Sequence, residues 1–274
     1  MPSLSSRTID GITVLTDDDL RAESGVLVAF TERTGGCSSA PFGTLNLAAH
    51  VGDDAGCVDR NRTSLLNSLG IGGFRDRITT AQQVHGRTIA DVGEAQVGAG
   101  ASACPGTVPP IAGADGLVTL LQDVPLLLLF ADCVPVVLVA ATPRRAIAVV
   151  HAGWRGALAG IAAEGARTLA ASAGCEVSEL TAYVGPHIGP CHYEVDETLL
   201  SQFVHTFGTI AAAQGRLDLG AVVSESLNGV GVPISSVCRA GLCTAERTDA
   251  FFSYRAEGLT GRHGALACIL GNPR

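Results

Sequence analysis

Residues Leu126 to Gly156 read LLLLFADCVPVVLVAATPRRAIAVVHAGWRG, and their pattern decides the fold. Apolar runs at Leu126–Phe130 and Val136–Ala141 flank the polar break Ala131-Asp132-Cys133-Val134-Pro135. A third run, Ala146–Val150, delivers His151 and the turn Ala152-Gly153-Trp154-Arg155-Gly156. Short continuous apolar runs, rich in β-branched residues and closed by turn residues, read as buried strands. A thiol and an imidazole at the ends of such strands are reactive groups held by a rigid scaffold. The next segment, Ala157–Ala173, is Ala-rich and expected to be helical. Arg155 and the helix start beside Gly156 then form a candidate anion site through free backbone N–H groups.

Outward from this centre, strands are expected at Ile12–Leu15, Val26–Phe30, Ile78–Val84, Leu180–Val184, Ile234–Val237 and Ala265–Leu270. Helices are expected at Val58–Leu69 and Thr198–Phe207, with a strand-to-helix stretch at Leu217–Leu227. Ala99–Ile111 is small and rich in Pro and Gly, which marks a surface loop. Strands and helices do not alternate strictly, and neither a linker nor a strong repeat is visible. The pattern therefore favours an α+β fold of mixed sheets over a doubly wound one. Residues 1–25 read as a lead-in with a short strand and 26–274 as the main domain, the two forming one compact domain overall.

With 274 residues, 47% of them hydrophobic, the chain can bury a sizeable core. Its formal charge of −8 gives no nucleic-acid footprint. All 18 basic residues are arginine, so Schiff-base catalysis and a Walker-type lysine are excluded, and any phosphate must be held by Arg, hydroxyls or backbone N–H. Nine cysteines without regular spacing, and a start lacking a basic-then-apolar signal, argue for reduced thiols and a cytoplasmic location. Val124–Ala141 approaches membrane-spanning length, but Pro125, Asp132 and Pro135 interrupt it, so no membrane association is expected.

Three residues at expected strand ends stand out: His85, Cys133 and His151. Two imidazoles and a thiolate suit zinc with an open fourth position, the pattern of catalytic sites. Read from spacing alone, the same residues are more often core histidines and an inert buried thiol. Asp132 is placed to orient a neighbouring ligand. Arg33, Arg62, Arg155, Arg255 and Arg262 are the candidate anion binders, with Arg33 and Arg155 first because glycines flank them in turns. A second cluster, His187, Cys191 and His192 with Cys238 and Cys243, is expected to shape the pocket rim rather than hold metal. The chain carries no G-x-S-x-G, dinucleotide G-x-G-x-x-G, Walker or H-E-x-x-H motif.

These motifs together resemble the YfiH family, also called the laccase-like multicopper polyphenol oxidase domain family. The match is carried by Thr31–Gly36 (TERTGG), Leu45–Leu47 with Asn61-Arg62, Gln83–Gly86 (QVHG), Ala131–Pro135 (ADCVP), His151–Gly156 (HAGWRG), Gly185–Val195, Cys243-Thr244 and Phe251–Arg262. The resemblance implies a single-domain four-layer α/β/β/α sandwich, with a metal held at His85, Cys133 and His151. Zinc is the ion expected from the donor set, with copper as the alternative. The resemblance also implies phosphorolysis of purine nucleosides (adenosine, inosine, guanosine, methylthioadenosine) and adenosine deamination; a monomer is expected. Arg33, Arg155, Asn46, Arg62 and Glu194 are the expected substrate and phosphate contacts, and Glu194 or Asp132 the proton shuttle. Three alternatives stand beside this: a copper-dependent polyphenol oxidase, a muropeptide-editing enzyme with Cys133 as nucleophile, and a zinc-stabilised protein without catalysis. Against the first, the seven histidines form no H-x-H pair.

Overall fold

The apolar runs become strands buried along their whole length: β6 (Leu126–Phe130), β7 (Val134–Ala140) and β8 (Ala146–Ala152). They are described here in a computed structural model of residues 1–271, so 272–274 of the expected domain lie outside the described residues. Side chains alternate across a strand. Val136, Leu138, Ala148 and Val150 accordingly face the helices, while Val137, Val139, Ile147 and Val149 face the other sheet, the one that holds β6. The same parity turns His151 to the inter-sheet side, its ring centroid 5.3 Å from that of Phe130.

The first sheet is antiparallel, in the order β1 (Ser5–Ile9), β2 (Ile12–Thr16), β3 (Val26–Thr31), β13 (His263–Ile269), β6. The second runs β12 (Val237–Arg239), β9 (Thr181–Val184), β7, β8, β5 (Gly116–Thr119), β4 (Ile89–Asp91). It is mixed, because β12 with β9 and β4 with β5 pair in parallel. A small hairpin, β10 (Ala212–Ala213) with β11 (Arg216–Leu217), stands apart.

Val28, Phe30, Leu128, Phe130 and Ala267 meet Val137, Val149 and Tyr183 between the sheets. Leu65 and Leu66 of α2 (Ala55–Ser68) cover the outer face of the first sheet, against Leu27, Leu127 and Leu266. The outer face of the second is covered by α4 (Ile161–Ala173) and α6 (Leu219–Gly229), and by Phe203 of α5 (Glu197–Phe207). Ala162, Ala166, Ala170 and Ala173 recur at helical spacing on the buried side of α4. The result is a single α+β domain of four layers, α/β/β/α. No helix of the described residues is long and apolar enough to cross a membrane.

Four expectations change. The lead-in is part of the sheet: β1 and β2 extend it, and α1 (Asp18–Ser24) follows, capped by the Asp17 carboxylate. Residues 78–84 form only isolated bridges, Thr79 with Leu126 and Ala81 with Ile111. There Gln83 pairs through its side chain, donating to the Leu129 carbonyl and accepting its N–H, which closes the free edge of β6 without a strand. The helix expected over Ala157–Ala173 is two: α3 (Trp154–Leu158) stops, and Gly160 at φ 79° turns the chain into α4. Ile234–Ser236 is a 3₁₀ turn after Pro233, with Ile234 exposed, and the strand begins only at Val237.

Candidate active site

The turn between β6 and β7 presents Cys133, and its geometry is held by Asp132 at φ 91°. Left-handed backbone is costly for a residue with a Cβ and persists only where surroundings enforce it. Here the Asp132 carboxylate accepts the Thr244 hydroxyl at 2.6 Å and the Arg255 backbone N–H at 2.6 Å. Asp132 therefore ties three loops together around the thiol, with both its oxygens engaged.

His85 lies in a second left-handed turn, Gln83 at φ 55° and His85 at φ 61°. One buried carboxylate organises it. Asp115, just before β5, accepts backbone N–H groups from Val84 at 3.2 Å, His85 at 2.8 Å and Gly86 at 2.7 Å. It also accepts Nδ1–H of His151 at 2.9 Å, which leaves His151 Nε2 for the site. A single side chain thus fixes the backbone turn of His85 and the ring of His151, and the two imidazole centroids are 4.9 Å apart in an edge-on arrangement. Burial alone would raise the Asp115 carboxyl, but these bonds hold it below its usual value.

The ligand atoms of His85, Cys133 and His151 all lie within 4.8 Å of one another. The packing is close: a Cβ on Gly153 would sit 2.7 Å from His85 Cδ2 and 3.3 Å from Cys133 Sγ. Burial pushes the Cys133 thiol up, yet the two histidines outweigh it and bring it to about 6. Burial lowers the His151 imidazole, and Cys133 and Asp115 more than reverse this, to about 9. The site therefore favours a thiolate beside a charged imidazole, a charge pattern that a cation can replace. Two nitrogens and a sulfur, a carboxylate behind one imidazole and an open side toward the cleft fit a catalytic zinc or copper ion.

The three residues close one end of a cleft of about 470 Å³, the size of a small-molecule site. Trp154, Tyr193 and Tyr254 supply its aromatic surface, and Gln82, Arg255 and Arg262 its polar groups. Arg255 packs over Tyr193 at 5.0 Å and donates to the Glu194 carbonyl. Arg262 donates to the carbonyls of Thr260 and Gly261, which aims its guanidinium along the wall.

The other expected contacts lie elsewhere. Arg33 is consumed by the scaffold: it pairs with Glu257 at 2.8 Å, packs over Phe252 and donates to the Gly43 and Thr248 carbonyls. Arg62 is buried against the Leu47, Gly100 and Ala101 carbonyls. Asn46 is buried too, bonded to Ala48, Asp53 and the Arg262 N–H, so it supports the wall from behind. Arg155 is exposed and stacked on Trp154. Glu194 points to solvent and pairs with Arg216. Glycines beside an arginine mark a tight turn, and a tight turn as readily aims the side chain at neighbouring carbonyls. Asp115 was missed by sequence reasoning, although an acid between Ala114 and Gly116 at the mouth of an apolar strand is a signal for a buried, bonded carboxylate. Of the second cluster, His187 donates from Nδ1 to the Gly185 carbonyl, and Cys238 lies on β12 opposite Tyr183. Cys191, His192 and Cys243 converge.

The family model described as multi-copper polyphenol oxidoreductase laccase matches residues 27–270. The purine nucleoside phosphorylase YlmD of Geobacillus stearothermophilus is 35% identical over 248 residues, covering 87% of this chain and 88% of that protein. A purine nucleoside phosphorylase of Xylella fastidiosa is 36% identical, covering 92% and 95%. The crystal structure of the Geobacillus YlmD superposes with a TM-score of 0.88 at 30% identity, over 99% of this chain and all of that one. That of YfiH from Bacillus licheniformis gives 0.83 at 28% identity, over 96% and 98%. Sequence along nearly the whole chain and the shared fold agree: this protein belongs to the YfiH family, the one described as multi-copper polyphenol oxidoreductase laccase.

Proposed function

We propose that the chain is a metal-dependent purine nucleoside phosphorylase that also deaminates adenosine. The observation that carries this reading is the convergence of His85, Cys133 and His151 at the end of a cleft that also holds Arg255 and Arg262. Its relatives' names support the phosphorylase part of this reading. In phosphorolysis a phosphate oxygen bonds to C1′ as the C1′–N9 bond breaks, and the electron pair leaves on the purine, which takes up a proton. The protein's task is then positioning and charge stabilisation.

Arg255 and Arg262 would hold phosphate, having donors to spare beyond their backbone bonds, while Trp154, Tyr193 and Tyr254 pack the base and ribose. Arg33, Arg62 and Asn46 act indirectly by fixing the loops behind them. His85, Cys133 and His151 would hold the ion. Zinc, when bound, supplies Lewis-acid charge stabilisation and acidifies water, which serves deamination at C6. Asp115 keeps His151 in the tautomer that offers Nε2.

The lowered Cys133 thiol favours one second reading, a cysteine nucleophile acting without metal on an acyl or peptide substrate. A single assay separates the two. Metal-loaded protein incubated with adenosine should release adenine and ribose 1-phosphate only when phosphate is present, and inosine in either case. Absence of ribose 1-phosphate, or turnover unaffected by chelation, would overturn the phosphorylase reading.

A further inference from the structure

We infer that Cys191, His192 and Cys243 form a second zinc site, separate from the triad and built on two loops of the cleft wall. The three ligand atoms lie within 4.8 Å of one another. His192 Nδ1 is 3.2 Å from Cys191 Sγ and 3.6 Å from Cys243 Sγ. Tetrahedral zinc, with Zn–S about 2.3 Å and Zn–N about 2.05 Å, holds sulfur and nitrogen about 3.6 Å apart and two sulfurs about 3.8 Å apart. The cluster is therefore at coordinating separation before any ion enters, and shifts of a few tenths of an ångström complete it.

The donor set selects the ion. Two thiolates and an imidazole are the ligands of thiophilic d¹⁰ cations, and calcium or magnesium would need oxygen. The Gly189 N–H donates to Cys243 Sγ at 3.2 Å, the contact an outer-shell donor makes to a ligating sulfur. Cys243 is buried at the base, whereas Cys191 and His192 are exposed at the mouth. The fourth position therefore opens to solvent and is completed by water. Binding displaces the two thiol protons.

The site sits where it can stiffen the cleft. Cys191 and His192 immediately precede Tyr193, which lines the cleft. Cys243 precedes Thr244, whose hydroxyl holds Asp132 beside Cys133. Without an ion the segments are joined by the bridge between His187 and Cys243 and by the Gly189 N–H on Cys243 Sγ. A zinc ion would clamp the Gly185–Val195 loop to the 240–244 loop and fix the part of the wall that carries Tyr193 and backs Asp132.

The test isolates this site by removing the other. Cys133→Ala protein, reduced, dialysed against ZnSO₄ and desalted, should retain about one zinc per chain by elemental mass spectrometry, falling to roughly none when Cys191→Ser or His192→Ala is added. Both added changes are at exposed positions, and circular dichroism checks the fold. Cobalt(II) titrated into the Cys133→Ala protein should give the visible bands of tetrahedral thiolate coordination, lost in the same two variants. Retention unchanged by Cys191→Ser, or no zinc in the Cys133→Ala protein, overturns the site. So does non-reducing peptide mapping that finds Cys191 and Cys243 joined as a disulfide in protein purified under thiol-reducing conditions. None of these readouts depends on nucleoside turnover, so failure here is distinct from failure of the phosphorylase reading.

Discussion

Asp115 joins the two histidines of the site through four accepted hydrogen bonds. Asp115→Asn keeps the volume but offers one acceptor oxygen and an NH₂ that faces donors. It should destabilise the fold by about 2–3 kcal/mol, the worth of bonds to a buried charge. Zinc affinity should fall by about 10–100-fold, read by competition with a chromophoric chelator. The carboxyl is held below its ordinary value, so its contribution is complete above about pH 4 and is lost as pH falls through its lowered value. Wild-type melting temperature should drop more steeply in that acid range than that of the variant. At the same scale, Arg262→Met and Arg255→Met should each raise the KM for phosphate by roughly tenfold or more, as expected for losing one charged hydrogen bond of about 1.5–3 kcal/mol. Arg155→Met should leave it unchanged. His85, Cys133 and His151 were legible as candidates through the motifs QVHG, ADCVP and HAGWRG around them. Their spacing alone did not separate them from core residues, and His85 proves to lie in a left-handed turn rather than at a strand end. The arginines could not be sorted, because which carbonyl or aromatic ring captures a guanidinium depends on loops far away in sequence.

Among the elements, the central strands were the most legible, because β6, β7 and β8 are buried on both faces and read as unbroken apolar runs. Less legible were segments whose pairing is done by side chains. Gln83 closes the edge of β6 with its amide, and no periodicity announces that. The break between α3 and α4 was written in Gly160, but a glycine inside an Ala-rich stretch is tolerated by many helices. Gly160→Ala isolates this feature, since an added Cβ there meets nothing within 4 Å while φ stays at 79°. The variant should lose about 1–2 kcal/mol from left-handed strain alone, measured by urea unfolding, with the site's zinc stoichiometry unchanged. A gain in stability would mean that α3 and α4 are free to merge into one helix.

For the molecule as a whole, the two sheets bury between them one group that opposes folding in acid. His263 at the start of β13 is 1% exposed, and neither ring nitrogen has a hydrogen-bond partner among the described residues. Burial, with Arg262 and Arg33 nearby, pushes its imidazole down to about 3. The ring stays neutral in the fold but is protonated in the unfolded chain below its ordinary value of about 6.5. Stability is therefore full above that pH and falls as pH drops toward 3. Between pH 6.5 and 5 the protein should lose about 2 kcal/mol through this residue, at about 1.4 kcal/mol per pH unit once the unfolded ring is charged. His263→Leu should flatten that slope in urea titrations. The four-layer architecture was legible through the motifs spread along the chain. The alternation of buried strands alone gave only mixed sheets, because a residue buried between two sheets and one buried under a helix are equally apolar.

The central claim is that one ion-binding triad at the end of the cleft performs the chemistry, and the most direct measurement is ribose 1-phosphate release from inosine and phosphate by wild-type and Cys133→Ala protein. Phosphate-dependent release by the wild type, and none by the variant at an unchanged melting profile, is the predicted result. Release by Cys133→Ala at the wild-type rate would contradict it.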